Sequence, residues 1–232
     1  MNKSTAQSQV GRVTPPASPK LGQGGCAPPL VFVVDDDRSV RRSLANLLES
    51  GDYGVETFAS AAEFLQRAEH PGASCLVLDV RLPGLDGLGL QQLLAQRGRS
   101  EQIVFITGHG DIPMGIRAMK RGAVDFLPKP FGDDQLLDAV ARALARSVEA
   151  VRARGEREEI RARLATLTTR EFEVFRLVIA GLLNKQIGAE LGAALTTIKI
   201  HRSRVFQKLG VVSVAELTRL AQKAGVDPAS SV

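Results

Sequence analysis

Short apolar runs alternate with helical periodicity from residue 30 to about residue 146, and then the runs stop. Val31-Phe32-Val33-Val34, Val55-Glu56-Thr57-Phe58, Cys75-Leu76-Val77-Leu78, Ile103-Val104-Phe105-Ile106 and Ala123-Val124-Asp125-Phe126-Leu127 have the length and β-branched content of strands. Most are nearly unbroken in apolar character, as in a parallel sheet covered on both faces. Between them, Val40, Leu44, Leu47 and Leu48 recur at helical spacing and the pattern ends near Gly51. Ser60-Ala61-Ala62-Glu63 predicts a capping box opening a second helix, and Leu85 to Gln96 a third after the Pro83-Gly84 turn. Asp111 is the predicted N-cap of a fourth helix, stopped by Gly122. Asp133-Asp134 start a fifth, with Leu136, Leu137, Val140 and Leu144 on its apolar face. Strict alternation of five strands and five helices predicts a doubly wound α/β domain with a five-stranded parallel sheet over residues 30–145.

Beyond it the period changes. Residues 146–163 are mostly Arg, Glu and Ala and read as a charged linker, partly helical and broken at Gly155. Residues 164–226 predict an all-α domain of four helices. Thr168-Thr169-Arg170-Glu171 is a capping box ahead of inward Phe172, Phe175, Val178 and Ile179. Asn184 to Leu191, Thr196 to Leu209 and Ser213 to Ala224 follow, with glycines closing the first three helices. A short helix, a tight turn and a longer basic helix are the parts of a helix-turn-helix. Residues 1–29 are rich in Pro, Gly, Ser and Gln and predict a disordered tail, and residues 227–232 form a second tail.

The strand ends carry the chemistry. Asp35 and Asp36 follow the first run, Asp79 the third and Thr107 the fourth, while Lys129 follows the fifth. Groups at the carboxyl ends of parallel strands converge on one crevice, where ligands bind. Three carboxylates there repel one another and call for a hard divalent cation, most simply Mg2+. An Asp beside such a cation and a Lys is a competent nucleophile toward phosphorus, so the expected site takes up a phosphate on Asp79. Asp37 and His109 read differently: Asp37 as strand-end solvation or a helix cap, His109 as a loop residue with no second ligand near it.

Charge distribution adds a second function. The net charge is +5, but residues 30–144 carry 12 Lys/Arg against 16 Asp/Glu, or −4. Residues 145–232 carry 15 against 9, or +6, and the first 29 residues add +3. A basic half after an acidic, cation-binding half points to nucleic acid as the partner of the second domain. The two cysteines, Cys26 and Cys75, lack metal-ligand spacing and read as reduced thiols. No run reaches the length of a membrane span, and the expected location is the cytosol.

These motifs resemble a known family. Val33-Val34-Asp35-Asp36-Asp37, Leu78-Asp79 through Asp86-Gly87, Thr107-Gly108-His109-Gly110-Asp111 and Lys129-Pro130-Phe131 resemble the receiver domain of bacterial two-component systems. Leu167 to Glu171 and Lys199-Ile200-His201-Arg202-Ser203-Arg204 are similar to a LuxR-type DNA-binding domain. Together they resemble response regulators of the FixJ/NarL class, closer to FixJ. The resemblance implies that Asp79 is the phospho-acceptor, with Mg2+ held by Asp36, Asp79 and the Arg81 backbone carbonyl, and by Asp35 through water. It implies that Thr107 bonds phosphoryl oxygens, that Lys129 pairs with the phosphoryl group, and that Phe126 is a switch aromatic beside Thr107. The implied partners are a cognate sensor histidine kinase, double-stranded promoter DNA, a second copy of the chain upon phosphorylation, and RNA polymerase.

In the third helix of the second domain, Ile198, Val205 and Leu209 face inward, and His201 is expected to pack and hydrogen-bond beside them. Thr196, Lys199, Ile200, Ser203 and Gln207, flanked by Thr197 and Arg204, form the stripe a major groove would meet. Lys185, Arg202 and Lys208 are placed for phosphates. Two positions depart from the family's pattern. Leu183 and Ala194 stand where Ser or Thr usually precedes the second and third helices, costing each about 1 kcal/mol of capping unless Asn184 and Thr196 substitute. They motivate one rival, an interaction module whose DNA-binding domain has decayed. The other, a Mg2+-dependent phosphohydrolase with an aspartyl intermediate, is disfavoured because Arg81, not an acid, stands two residues beyond Asp79.

Overall fold

The computed structural model describes residues 28–108 and 112–229. The chain divides into two compact units, the division falling between Ala143 and Leu144. Asp111, His109, Cys26 and most of the predicted N-terminal tail lie outside the described residues.

In the first unit, β1 (Leu30–Val34), β2 (Gly54–Phe58), β3 (Ser74–Asp79), β4 (Gln102–Thr107) and β5 (Asp125–Pro128) alternate with helices. These are α1 (Arg38–Ser50), α2 (Ala61–Gln66), α3 (Gly87–Gln96), α4 (Ile112–Lys120) and the first part of α5 (Asp133–Ala165), whose residues from Leu144 onward belong to the second unit. The strands form one sheet in the order β2-β1-β3-β4-β5, every neighbouring pair parallel. Sequence character follows position. The central strand β3 is buried at every residue, whereas the edge strand β2 interleaves exposed Gly54 and Thr57, and the other edge, β5, ends on Pro128. Phe32, Phe64, Leu76, Leu78, Leu90 and Phe105 are fully buried in the core around this sheet.

The caps explain where the helices begin. Asp37 accepts the N–H groups of Ser39 at 2.7 Å and Val40 at 3.3 Å, opening α1. Ser60 accepts the Glu63 N–H at 3.1 Å, and Glu63 reaches back to the Ala59 N–H at 2.7 Å. The third helix starts later than its sequence pattern, at Gly87, because Asp86 caps it by accepting the Gly89 N–H.

The predicted break at Gly155 does not occur: α5 runs unbroken from Asp133 to Ala165. One interior glycine costs a helix only about 1 kcal/mol relative to Ala. The surrounding Ala, Arg and Glu are strong helix formers, and Arg152–Glu156 and Glu159–Arg163 pair at i,i+4.

The second unit holds α6 (Thr169–Ile179), α7 (Asn184–Glu190), α8 (Leu195–Leu209) and α9 (Val214–Ala224). Val174, Phe175, Ile187, Ile198, Val205, Leu209 and Leu217 are fully buried together, while Phe172 and Ile179 pack only partly against them. The Thr168–Glu171 capping box forms in both directions. Glu171 is buried and takes the Lys208 ammonium at 2.6 Å; that bond, with the Thr168 N–H, holds its carboxyl down to about 2.

Leu183 and Ala194 are the N-caps of α7 and α8, and neither offers a side-chain bond. At α7 only the reverse half of a capping box survives, Gln186 accepting the Leu183 N–H at 2.8 Å. Asn184 does not substitute, because its Oδ1 accepts from Arg202 at 2.8 Å. Leu183 sits in extended backbone, φ −76° and ψ 155°, and is 69% exposed, so a serine there meets no obstacle. Leu183→Ser is therefore expected to stabilise the second unit by about 0.5–2 kcal/mol. Chemical denaturation reads this as a raised midpoint at constant m-value, and a lowered midpoint would remove the cap assignment.

Candidate functional site

The site of the first unit lies at the carboxyl ends of β1, β3, β4 and β5. Oxygens of Asp35, Asp36 and Asp79 lie within 4.8 Å of one another. The Lys129 ammonium reaches Asp35 Oδ2 at 2.8 Å and Asp79 Oδ2 at 3.3 Å. Thr107 ends β4, is fully buried, and gives its backbone carbonyl to the Lys129 N–H at 2.7 Å, which fixes the strand that delivers the lysine. The five residues expected from the sequence to converge are thus brought together.

Local geometry holds each carboxylate in place. Asp35 is buried and accepts the Asp37 N–H through Oδ1 at 2.9 Å. Asp79 Oδ1 accepts the Arg81 N–H at 3.1 Å. At the base of α3, a Cβ on Gly87 would stand 2.5 Å from the Asp79 carbonyl and 3.0 Å from Val80 Cα. Only glycine lets that helix start so close to the acid. One anchor carries no sequence signal: Arg41 donates through Nη1 to the carbonyls of Asp35 at 2.8 Å and Asp36 at 2.9 Å. It sits one turn into α1 and folds back to brace the acidic loop.

Burial pushes the Asp79 carboxyl above its ordinary value, and Asp35 adds to that rise, while the Arg81 N–H and Lys129 oppose it. Burial works to lower the Lys129 ammonium, but Asp35 and Asp79 outweigh it and raise it. Three carboxylates and one ammonium sum to −2, which a single divalent cation with oxygen affinity balances. The donor set therefore fits Mg2+. Asp37 stands apart, its side chain committed to the cap of α1.

Phe126 is half-buried on β5, its ring 6.4 Å from that of Phe105. It lies against α4 at Gly115, where a Cβ would come within 3.3 Å of the ring. On α4, Ile116 is 49% and Met119 45% exposed. Gln91 bridges from α3 to the end of that helix, donating to the carbonyls of Ala118 at 3.2 Å and Arg121 at 3.3 Å. Sequence reading missed this contact, since nothing in the sequence distinguishes Gln91 from Gln92 and Gln96 of the same helix or announces its partner.

In the second unit α8 buries Ile198, Val205 and Leu209 and exposes Thr196, Thr197, Lys199, Ile200, Ser203, Arg204 and Gln207. Lys185 on α7 is exposed as well. Two of the residues expected at phosphates are engaged within the domain. Arg202 donates to Asn184 and stacks over the Phe206 ring at 5.6 Å, and Lys208 donates to Glu171 and to the Thr166 carbonyl at 2.9 Å. His201 packs as expected, but its Nδ1 is buried without a hydrogen-bond partner among the described residues. Arg170, which the sequence did not single out, pairs with Glu173 at 2.9 Å and donates to the Leu191 carbonyl, closing the end of α7 against α6.

Family models and relatives agree on both units. Residues 31–141 match the response regulator receiver domain and residues 165–221 the bacterial regulatory proteins of the luxR family. Nodulation protein W of Bradyrhizobium diazoefficiens is 49% identical over 209 residues, 88% of this chain and 92% of that protein. The transcriptional regulatory protein FixJ of Azorhizobium caulinodans is 44% identical over 199 residues, 86% of this chain and 94% of the relative. Among solved structures, the response regulator StyR has a TM-score of 0.74 at 49% identity, with 85% of this chain and 100% of StyR covered.

Proposed function

This chain belongs to the response regulators that join a receiver domain to a luxR-type DNA-binding domain, and on that premise we propose that Asp79 accepts a phosphoryl group from a sensor histidine kinase. The protein is a phosphorylation-dependent transcriptional regulator. The observation that carries the site assignment is the convergence of Asp35, Asp36, Asp79 and Lys129 at one end of the sheet.

In the proposed transfer an Asp79 carboxylate oxygen forms a bond to phosphorus as the bond to the donor imidazole nitrogen breaks, and the imidazole leaves with a proton from solvent. Phosphoryl transfer is mostly positioning and charge neutralisation. Arg81 and Lys129 orient the carboxylate, and the Lys129 ammonium moves from carboxylate to the incoming phosphoryl oxygens. Thr107 offers its hydroxyl to those oxygens from the end of β4. Asp36, Asp79 and the Arg81 carbonyl, with Asp35 behind them, are the residues that would hold Mg2+, which would supply the remaining positive charge. Chelation tests this: with EDTA, labelling of Asp79 by acetyl phosphate should fall to background, and labelling at the Mg2+ rate in chelator would remove the cation from the mechanism.

The output side of the proposal uses α4 and β5. The exposed Ile116 and Met119 supply apolar surface for a second receiver, and the phosphorylated pair presents two α8 helices to two operator half-sites. In this reading Thr196, Thr197, Lys199, Ile200, Ser203, Arg204 and Gln207 face the major groove. Lys185 lies by the phosphates, and Lys208 and Arg202 mainly brace the domain. RNA polymerase is the downstream partner of that complex.

A further inference from the structure

Next to the acidic loop, but lined by none of its carboxylates, the first unit has a groove between α1 and the edge strand β2. Its cavity of about 420 Å³ is lined by Arg38, Arg41, Arg42, Ala45, Glu49, Val55 and Thr57. The helical residues recur at three- and four-residue spacing, so they form one face of α1 laid along the strand. That volume lies within the range of about 300–1,000 Å³ typical of small-molecule sites.

The charge in this groove is unbalanced. Arg67, Arg99 and Arg142 of the same unit each meet a carboxylate. Arg38 and Arg42 form no ion pair among the described residues, and Glu49 forms none either. On β2 itself Glu56 is taken by Arg67, leaving Val55 and Thr57 to floor the groove. Three guanidiniums and one carboxylate sum to +2. Arg41 is already held in position by the carbonyls of Asp35 and Asp36, so part of the ordering cost of binding is met beforehand.

We propose that this groove binds a small organic phosphomonoester. A phosphomonoester carries about −1.5 to −2 at neutral pH, which balances the site. Guanidinium is suited to phosphate by its planar fork of donors. The cavity exceeds what a bare phosphate fills, and Ala45 and Val55 give the organic part an apolar floor, with the Thr57 hydroxyl beside it. The inference goes beyond phosphorylation at Asp79 and shares no catalytic residue with it, so either can fail alone.

The test is a titration of the isotope-labelled full-length chain with phenyl phosphate, followed by the amide resonances of Ala45, Val55 and Thr57. A chelator is present, so that the bare carboxylates of the acidic site repel the added anion. Saturable shifts at these amides are expected, tighter for phenyl phosphate than for inorganic phosphate. Arg38→Ala/Arg42→Ala should weaken binding at least tenfold. Glu49→Gln, which removes the one repelling carboxylate, should tighten it several-fold, a gain that misfolding cannot mimic. Shifts that fail to saturate, or equal affinity in the arginine variant, would overturn the proposal. So would shifts with a hexaglutamate peptide but not with phenyl phosphate, which would make the groove a protein-docking face.

Discussion

Asp79→Asn should reduce labelling by acetyl phosphate in Mg2+ to background, while Asp37→Asn should leave it largely intact. The amide of Asn is nearly the size of the carboxylate, so it preserves packing at the end of β3 and still accepts the Arg81 N–H. What it lacks is the anionic oxygen that attacks phosphorus and the charge that attracts Lys129 and a divalent cation. The loss is therefore chemical, and the folded state should survive. Asp37 is the matched control, a second carboxylate next to Asp36 in the same loop. Its carboxylate is spent on the N–H groups of Ser39 and Val40. Asn caps helices about as well as Asp, so the substitution removes a charge next to the site and little else. Mass spectrometry of the intact chain, with peptide mapping, reads both outcomes. Wild-type labelling in Asp79→Asn would mean that another residue is the acceptor.

The fold and the site were legible in the sequence to different depths. The central strands β1, β3 and β4 were visible because a parallel sheet covered on both faces demands unbroken apolar runs, each ending where a polar side chain appears. The edge strands β2 and β5 instead carry Glu56, Thr57 and Asp125 within their runs. Asp35, Asp36, Asp79, Thr107 and Lys129 could be placed together from topology alone, since the strand ends of a doubly wound sheet share one edge. Contacts made by long side chains to backbone carbonyls were not legible. Arg41, Gln91 and Arg170 each brace a functional segment in this way, and a carbonyl leaves no mark in the sequence to pair with. Lys208 has an internal partner that was equally hidden. Its spacing puts it on a basic helix, but only the fold brings Glu171, 37 residues earlier, to within 2.6 Å of its ammonium. Helix continuity through Gly155 was missed because the glycine was weighed as a breaker, when its neighbours outweigh its cost.

Phosphorylation should make the full-length protein dimeric and tighten its binding to a two-half-site operator by about 10²–10⁴-fold, the range that linking two binding modules provides. A phosphoryl group on Asp79 puts about two negative charges where the carboxylate carried one, beside Lys129 and near the end of β4 that carries Thr107. Drawing Thr107 inward moves the end of β4 and empties space beside β5. Phe126 has room to respond because Gly115 on α4 presents no side chain to its ring. A ring that turns inward reshapes the α4–β5 surface, where Ile116 and Met119 already expose apolar area that a second receiver could cover. No base contact need change. Two α8 helices held in one particle rebind faster than either can leave, so the gain appears mainly in dissociation rate. Residues 150–232 alone should bind the operator without any phosphodonor, because the buried core of α6–α9 and the exposed stripe on α8 owe nothing to the acidic site. Sedimentation and DNA titrations at fixed salt, with and without phosphodonor, measure both parts; the salt must be held because the phosphate contacts depend on it. A fully phosphorylated protein that stays monomeric and binds DNA no more tightly would sink this mechanism, leaving the chemistry at Asp79 in place but its output unexplained.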